Sequence, residues 1–165
     1  MAQTIQIPGP TVLQVALGPA AAFADLGQSD NDNLPEIAFS DHSREVKTSS
    51  GGEAPQEIVL NGITATLSVT LVSWDEDLLA SIKARQRGTT EGKSVVGRRL
   101  FASTDQGAIR LKLKSVDGTT AYLFGRCWIK PDGERDSQWG NRERTLTLNF
   151  GCTPDSGGQL YDYTA

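Results

Sequence analysis

The chain has 165 residues, a net charge of −4 and a pI near 5.0. A domain of that length buries roughly two-thirds of the surface its unfolded chain exposes, so it needs no metal or disulfide to fold. The acidic balance excludes a protein whose main task is to grip a nucleic-acid backbone, but not one that guides DNA without holding it.

Taken in chain order, Met1–Pro10 is polar, carries two prolines and is expected to be an extended N-terminal arm. It lacks a basic stretch followed by an apolar core, so no secretory leader is expected. Thr11–Leu17 is a short apolar run that predicts a first strand, ended by Gly18 and Pro19. Gly27–Asn33 is a turn by composition. Glu36–Phe39 and Arg44–Thr48 are expected to be two strands joined around Asp41–Ser43, and Ser49–Pro55 a flexible loop.

The clearest segment follows. Ile63, Ala65, Leu67, Val69 and Leu71 alternate with Thr64, Thr66, Ser68 and Thr70, which places one strand face on a core and the other in water. Gln56–Leu60 reads as a shorter strand, and Asn61-Gly62 between the two is the strongest short hairpin signal. Ser73-Trp74-Asp75-Glu76 then matches a capping box, with Leu78, Leu79 and Ile82 at helical spacing and Gly88 as the stop. One helix is expected from Trp74 to Arg87, its apolar stripe packed on the outside of the sheet against residues such as Leu67 and Val69. Thr89–Arg99 is an aperiodic loop. Ile109–Lys114, Ala121–Lys130 and Thr145–Phe150 are three further strands, with the charged loop Pro131–Asn141 before the last. Thr153–Ala165 is expected to be a C-terminal tail.

The fold class is therefore mainly β: an antiparallel β-sandwich or barrel in a single domain, 1–165, with one flanking α-helix and long loops. No apolar run approaches the ~18–20 residues needed to span a bilayer, so no membrane partner is expected.

The constellations that carry chemistry are missing. His42 is the single histidine and sits in Ser40-Asp41-His42-Ser43, where an exposed turn residue is the plainer reading. Asp30-Asn31-Asp32-Asn33 opens like a calcium loop, but Leu34, Pro35 and Asp41 occupy the positions that need a ligand, glycine and glutamate. Ser49–Gly52 could offer backbone N–H groups to an anion, yet its composition is that of a linker. Cys127 and Cys152 form no CxxC pair and are expected to be reduced thiols packed in late strands of a cytosolic product. No cofactor, metal or catalytic set is expected.

Charge is uneven along the chain. Asp25, Asp30, Asp32, Glu36 and Asp41 lie early; Lys83, Arg85, Arg87, Lys93, Arg98 and Arg99 cluster in the middle. A solvated face gives such a pattern, and so does head-to-tail packing between copies. Ser49, Ser50, Gly51, Gly52 and Glu53 in one long loop, with Arg85, Arg87, Arg98 and Arg99, are accordingly the candidate subunit-contact residues.

One ordered series of motifs has a family style. It runs through Arg44-Glu45-Val46-Lys47-Thr48, the Gly-Gly-Glu-Ala-Pro loop at 51–55, Gln56-Glu57-Ile58, Asn61-Gly62, the alternating strand to Val72, and Trp74-Asp75 opening the helix. The series resembles tail tube proteins of tailed bacteriophages and related virion proteins, and Leu26-Gly27 and the closing DSGGQLY at 155–161 are similar to what such proteins show. The resemblance implies hexameric rings whose inner strands join around a channel. The rings stack, and DNA passes through them only transiently. It implies self-assembly with other tail or neck proteins as partners, in a virion made in the host bacterial cytoplasm. Two alternatives stand beside it: a capsid cement or neck and tail-completion protein, and, from another class, a monomeric ligand-binding β-sandwich.

Overall fold

The computed structural model describes residues 10–29, 32–46, 57–88, 107–118, 120–136 and 145–164, with backbone alone over 131–136. Their strands are β1 (Thr11–Ala16), β2 (Ala24–Ser29), β3 (Glu36–Val46), β4 (Glu57–Trp74), β5 (Ile109–Ser115), β6 (Ala121–Asp136), β7 (Leu146–Cys152) and β8 (Tyr161–Thr164), with one helix, α1 (Glu76–Arg87), after β4. The fold is mainly β, as the alternation requires.

Neighbouring strands run β2-β1-β5-β6-β7-β4, and β2 also pairs β4, so these strands close into an antiparallel barrel. The barrel has no edge of its own to protect. Its interior is filled by the apolar set of each alternating strand, including Leu13 and Val15 of β1, Leu67, Val69 and Leu71 of β4, Leu111 and Leu113 of β5, and Leu148 and Phe150 of β7. A barrel of so few strands is a packed core and not a pore. The wet partners of these residues, Arg110 and Lys112 of β5 among them, point outward. Arg110 is tied down there, donating to the carbonyls of Gly18 at 3.1 Å and Ala21 at 2.6 Å and lying over the Phe23 ring.

Two bulges keep apolar residues on one face where strict alternation would lose them. In β6 the inward residues are Tyr122 and Phe124, then Cys127 and Ile129, and the parity changes at a register shift against β5. In β4 the shift falls at Asn61-Gly62, where Gly62 has φ +132. The expected hairpin turn at this dipeptide is corrected: Glu57–Trp74 is one strand, and the dipeptide is a bulge inside it. A glycine bulge and a tight turn both need φ > 0, so the same two residues serve either. The strand that pairs with the first half of β4 is instead β3, which runs unbroken through Asp41–Ser43 where a turn was expected.

α1 starts one residue pair later than the capping box implies. Asp75, not Ser73, is the N-cap, accepting from the Leu78 N–H at 3.0 Å, and Gly88 closes the helix in the left-handed conformation. Leu79 and Ile82 are buried as expected and join the barrel core. The helix does not lie over Leu67 and Val69 on the outer face, because those residues point inward. It crosses the end of the barrel where β1 stops and β5 begins: Arg85 donates to the Ala108 carbonyl at 2.9 Å, beside Gly18. Gln86 donates to the Ile129 carbonyl at 2.7 Å and accepts from its N–H at 2.9 Å, completing β6 beyond its last pairing with β5.

Two further expectations change. β6 continues through Pro131–Asp136, where a loop was expected, and pairs β7 again at Glu134–Asp136. The C-terminal tail contains β8, which pairs the start of β6 after an Asp155-centred turn. The arm at 1–9, the acidic stretch at Asp30-Asn31 and the loop 89–106 lie outside the described residues.

Ile82→Ala should lower stability by about 2–5 kcal/mol, because a filled core site becomes a cavity. Arg87→Ala, at the exposed end of the helix, should stay within about 0.5 kcal/mol. Chemical denaturation of the unassembled protein separates the two. Gly151→Ala should cost about 1–3 kcal/mol by overpacking, since a Cβ there would sit 2.5 Å from the Trp128 ring. Gly62→Ala places a side chain at φ +132. Its strain, about 1–3 kcal/mol, should appear as faster amide exchange over 57–64 with the melting of the barrel little changed.

Candidate assembly surface

β4 is longer than the barrel it closes. β7 pairs it from Ala65 to Leu71, and β2 pairs it from Leu71 to Trp74. Among the described residues, 57–64 pair with β3 alone. β3 itself pairs only β4 among the described residues. A two-stranded ribbon therefore projects from the barrel, and no described strand pairs either of its outer edges. An isolated ribbon of this kind is marginal in water, so it depends on its rigid base and on whatever covers it.

The ribbon is amphipathic. Directly opposed residues share a face, and one face runs Ile37 with Leu67, Phe39 with Ala65, Asp41 with Ile63, Ser43 with Leu60 and Glu45 with Ile58. This is the outward continuation of the core face of β4. The bulge makes the continuity possible: without the extra residue, Leu60 and Ile58 would fall on the side of Thr64 and Thr66. Beyond the barrel the apolar face is bare. Leu60 is 75% exposed, Ile58 61% and Phe39 44%.

The opposite face pairs Glu36 with Ser68, Ala38 with Thr66, Ser40 with Thr64, His42 with Gly62, Arg44 with Val59 and Val46 with Glu57. It is polar apart from the small or half-covered Ala38, Val46 and Val59. His42 stands here on a strand and not in a turn, with Nε2 2.9 Å from Thr64 Oγ1. Lys130 of β6 donates to Thr66 Oγ1 at 2.9 Å, so a cation from the barrel wall reaches the same face.

The base of the ribbon is held by rings. Phe39 lies 5.3 Å from Tyr161 of β8, which lies 5.7 Å from Tyr122 and 6.1 Å from Phe124. Tyr163 packs against Tyr122 in a tilted arrangement, ring centres 4.9 Å apart. Burial, and after it the neighbouring Tyr163 and Tyr161, push the Tyr122 hydroxyl above the ordinary phenol range. Tyr161 and Tyr163, expected in a tail, lie on β8, and their alternation, tyrosine at every second position, is the strand signal in the sequence.

Of the candidate contact residues, Arg85 is engaged within the subunit through the Ala108 carbonyl, and Arg87 is exposed at the end of α1. Ser49, Ser50, Gly51, Gly52, Glu53, Arg98 and Arg99 lie outside the described residues. In sequence Ser49–Glu53 belong to the segment 47–56 between β3 and β4. Ile58, Leu60 and Phe39 are exposed apolar residues that local pattern does not reveal, because their exposure depends on where β7 ends. Among the described residues no group of His, Cys, Asp and Glu could hold a metal.

No protein-family model matches the chain, and no curated protein matches it. Solved structures are similar in fold. A chain from the virion of a native gene transfer agent particle is 14% identical with a TM-score of 0.48, over 93% of this chain and 95% of that one. A chain from the baseplate of the anti-feeding prophage is 9% identical with a TM-score of 0.49, over 98% and 95%. A type six secretion system protein is 12% identical with a TM-score of 0.38, over 95% and 92%.

Proposed function

We propose that the chain is the tail tube subunit of a bacteriophage or phage-like particle: a structural protein that assembles into stacked rings around a channel for DNA. The observation that carries this reading is the projecting ribbon. A barrel whose wall is closed has no need of an extra pair of strands. A ribbon with two open edges and a bare apolar face is unsatisfied until another chain meets it. Equivalent ribbons of a ring satisfy one another edge to edge, and head-to-tail contacts of one kind close into rings. Covering Leu60 and Ile58 contributes roughly 1.5–3 kcal/mol each, before the ladder bonds are counted.

The two faces then divide the work. The apolar face, running outward from the core, packs against the barrel of the subunit or its neighbour, and the polar face borders the channel. On that polar face Glu36 and Glu57 stand against Arg44 and Lys130, so fixed charges balance. A lumen without net positive charge does not hold phosphates through counterion release, and DNA slides past. Other tail and neck proteins are the partners at the ends of the stack, and the segment 47–56 and Arg87 are proposed to reach neighbouring subunits. The role is one of assembly and not catalysis.

The test is assembly of the Ile58→Ser, Leu60→Ser double variant. Its melting should match that of the wild type as isolated subunits, while rings and tubes in negative-stain images disappear. Wild-type protein that stays monomeric at high concentration, alone and with tail partners, contradicts the reading; so does normal tube formation by the double variant.

A further inference from the structure

The chain has two cysteines, Cys127 and Cys152, and they face each other. They are directly opposed in the β6–β7 ladder, with their sulfurs 3.2 Å apart and both side chains buried. Opposed residues of an antiparallel ladder have Cα atoms about 4.5–5.5 Å apart. That lies inside the roughly 4.4–6.8 Å that a disulfide spans, and the sulfurs need to approach by only about 1 Å more. Side-chain torsions supply this without a shift of either strand.

We propose that this pair is an oxidation site, a latent cross-strand disulfide that a small hydroperoxide closes. Its place in the fold gives the bond a purpose. Cys152 is the last residue of β7, opposite Ala65 on β4 and Cys127 on β6. Beyond this rung β6 pairs β8, and β4 has only β3 among the described residues. The barrel wall splits here, at the root of the projecting ribbon, and a bond between the sulfurs pins the split.

The reduced pair is quiet for physical reasons. Burial first, then the hydrogen bond with Cys152, pushes the Cys127 thiol well above its ordinary range, which withholds the thiolate. On the outer face the Trp128 indole lies against Gly151, covering the ladder from that side. Oxidation therefore waits on local opening.

One thiolate attacks an oxygen of hydrogen peroxide, breaking the O–O bond and forming a sulfenic acid; the displaced hydroxide takes the thiol proton and leaves as water. The second thiolate attacks the sulfenic sulfur, forming the S–S bond and expelling hydroxide, which takes the second proton as another water. Two thiols lose two electrons between them, and one peroxide gains two.

The experiment exposes the full-length protein to hydrogen peroxide near the onset of melting, alkylates free thiols and records intact mass and a peptide map. The expected result is a loss of two hydrogen atoms and a peptide linking Cys127 to Cys152. No alkylation and no covalent dimer should be found, and the melting midpoint should rise and fall back on reduction with dithiothreitol. Cys152→Ser should abolish the linked peptide and the rise. Oxygen added to the cysteines without a linked peptide overturns the proposal, and so do disulfide-linked dimers or two thiols that remain alkylatable. Should Cys152→Ser fail to fold, the wild-type peptide map decides alone.

Discussion

A β-strand offers two edges and two faces, and β4 has to satisfy different neighbours along its length. From Ala65 to Leu71 one edge is taken by β7, the other by β3 as far as Ser68 and by β2 from Leu71 to Trp74, and its alternate residues fill the barrel. From Glu57 to Thr64 one edge is taken by β3 and the other meets no described strand. The rest of the molecule follows from that division. β2 closes the barrel, the helix crosses the end where β4 leaves it, and the excess length becomes a ribbon that no other described strand covers.

Rigidity at the base is what makes such a ribbon useful. Ordering each backbone residue costs about 1–2 kcal/mol, and a free ribbon recovers little of that from burial. Here the strand enters the ribbon already held by the core rungs of Leu67 and Ala65, and Phe39 is propped by Tyr161. Part of the ordering cost is thereby met before association, which raises the affinity of any edge-to-edge pairing. The bulge at Gly62 sets which side chains that pairing presents. It holds Leu60 and Ile58 on the apolar face and leaves Thr64, Ser40 and His42 on the polar one.

Much of the fold was legible from local pattern. The alternation over 63–71, 109–114 and 145–150 located three barrel strands, and the spacing of Leu79 and Ile82 located the helix and its buried side. What local pattern could not supply was pairing. Asn61-Gly62 satisfies a turn and a bulge equally, and only the presence of β3 as a long partner decides between them. Ser73 and Asp75 are both good caps; β2 decides, because Ser73 is held in the ladder opposite Gln28 and Asp75 N donates to the Leu26 carbonyl. The candidate surface was less legible than the fold. Leu60 and Ile58 look like core residues until the end of β7 leaves them uncovered, and Cys127 and Cys152 meet only through a register that joins residues 25 apart.

The central claim is that the ribbon is completed by other copies of the chain. Amide hydrogen exchange over residues 57–64, compared between isolated subunits and assembled particles, tests it most directly. The account predicts rapid exchange in the subunit, strong protection in the assembly, and slow exchange over 65–71 in both. Ribbon amides that exchange at the same rate in subunit and assembly would contradict it.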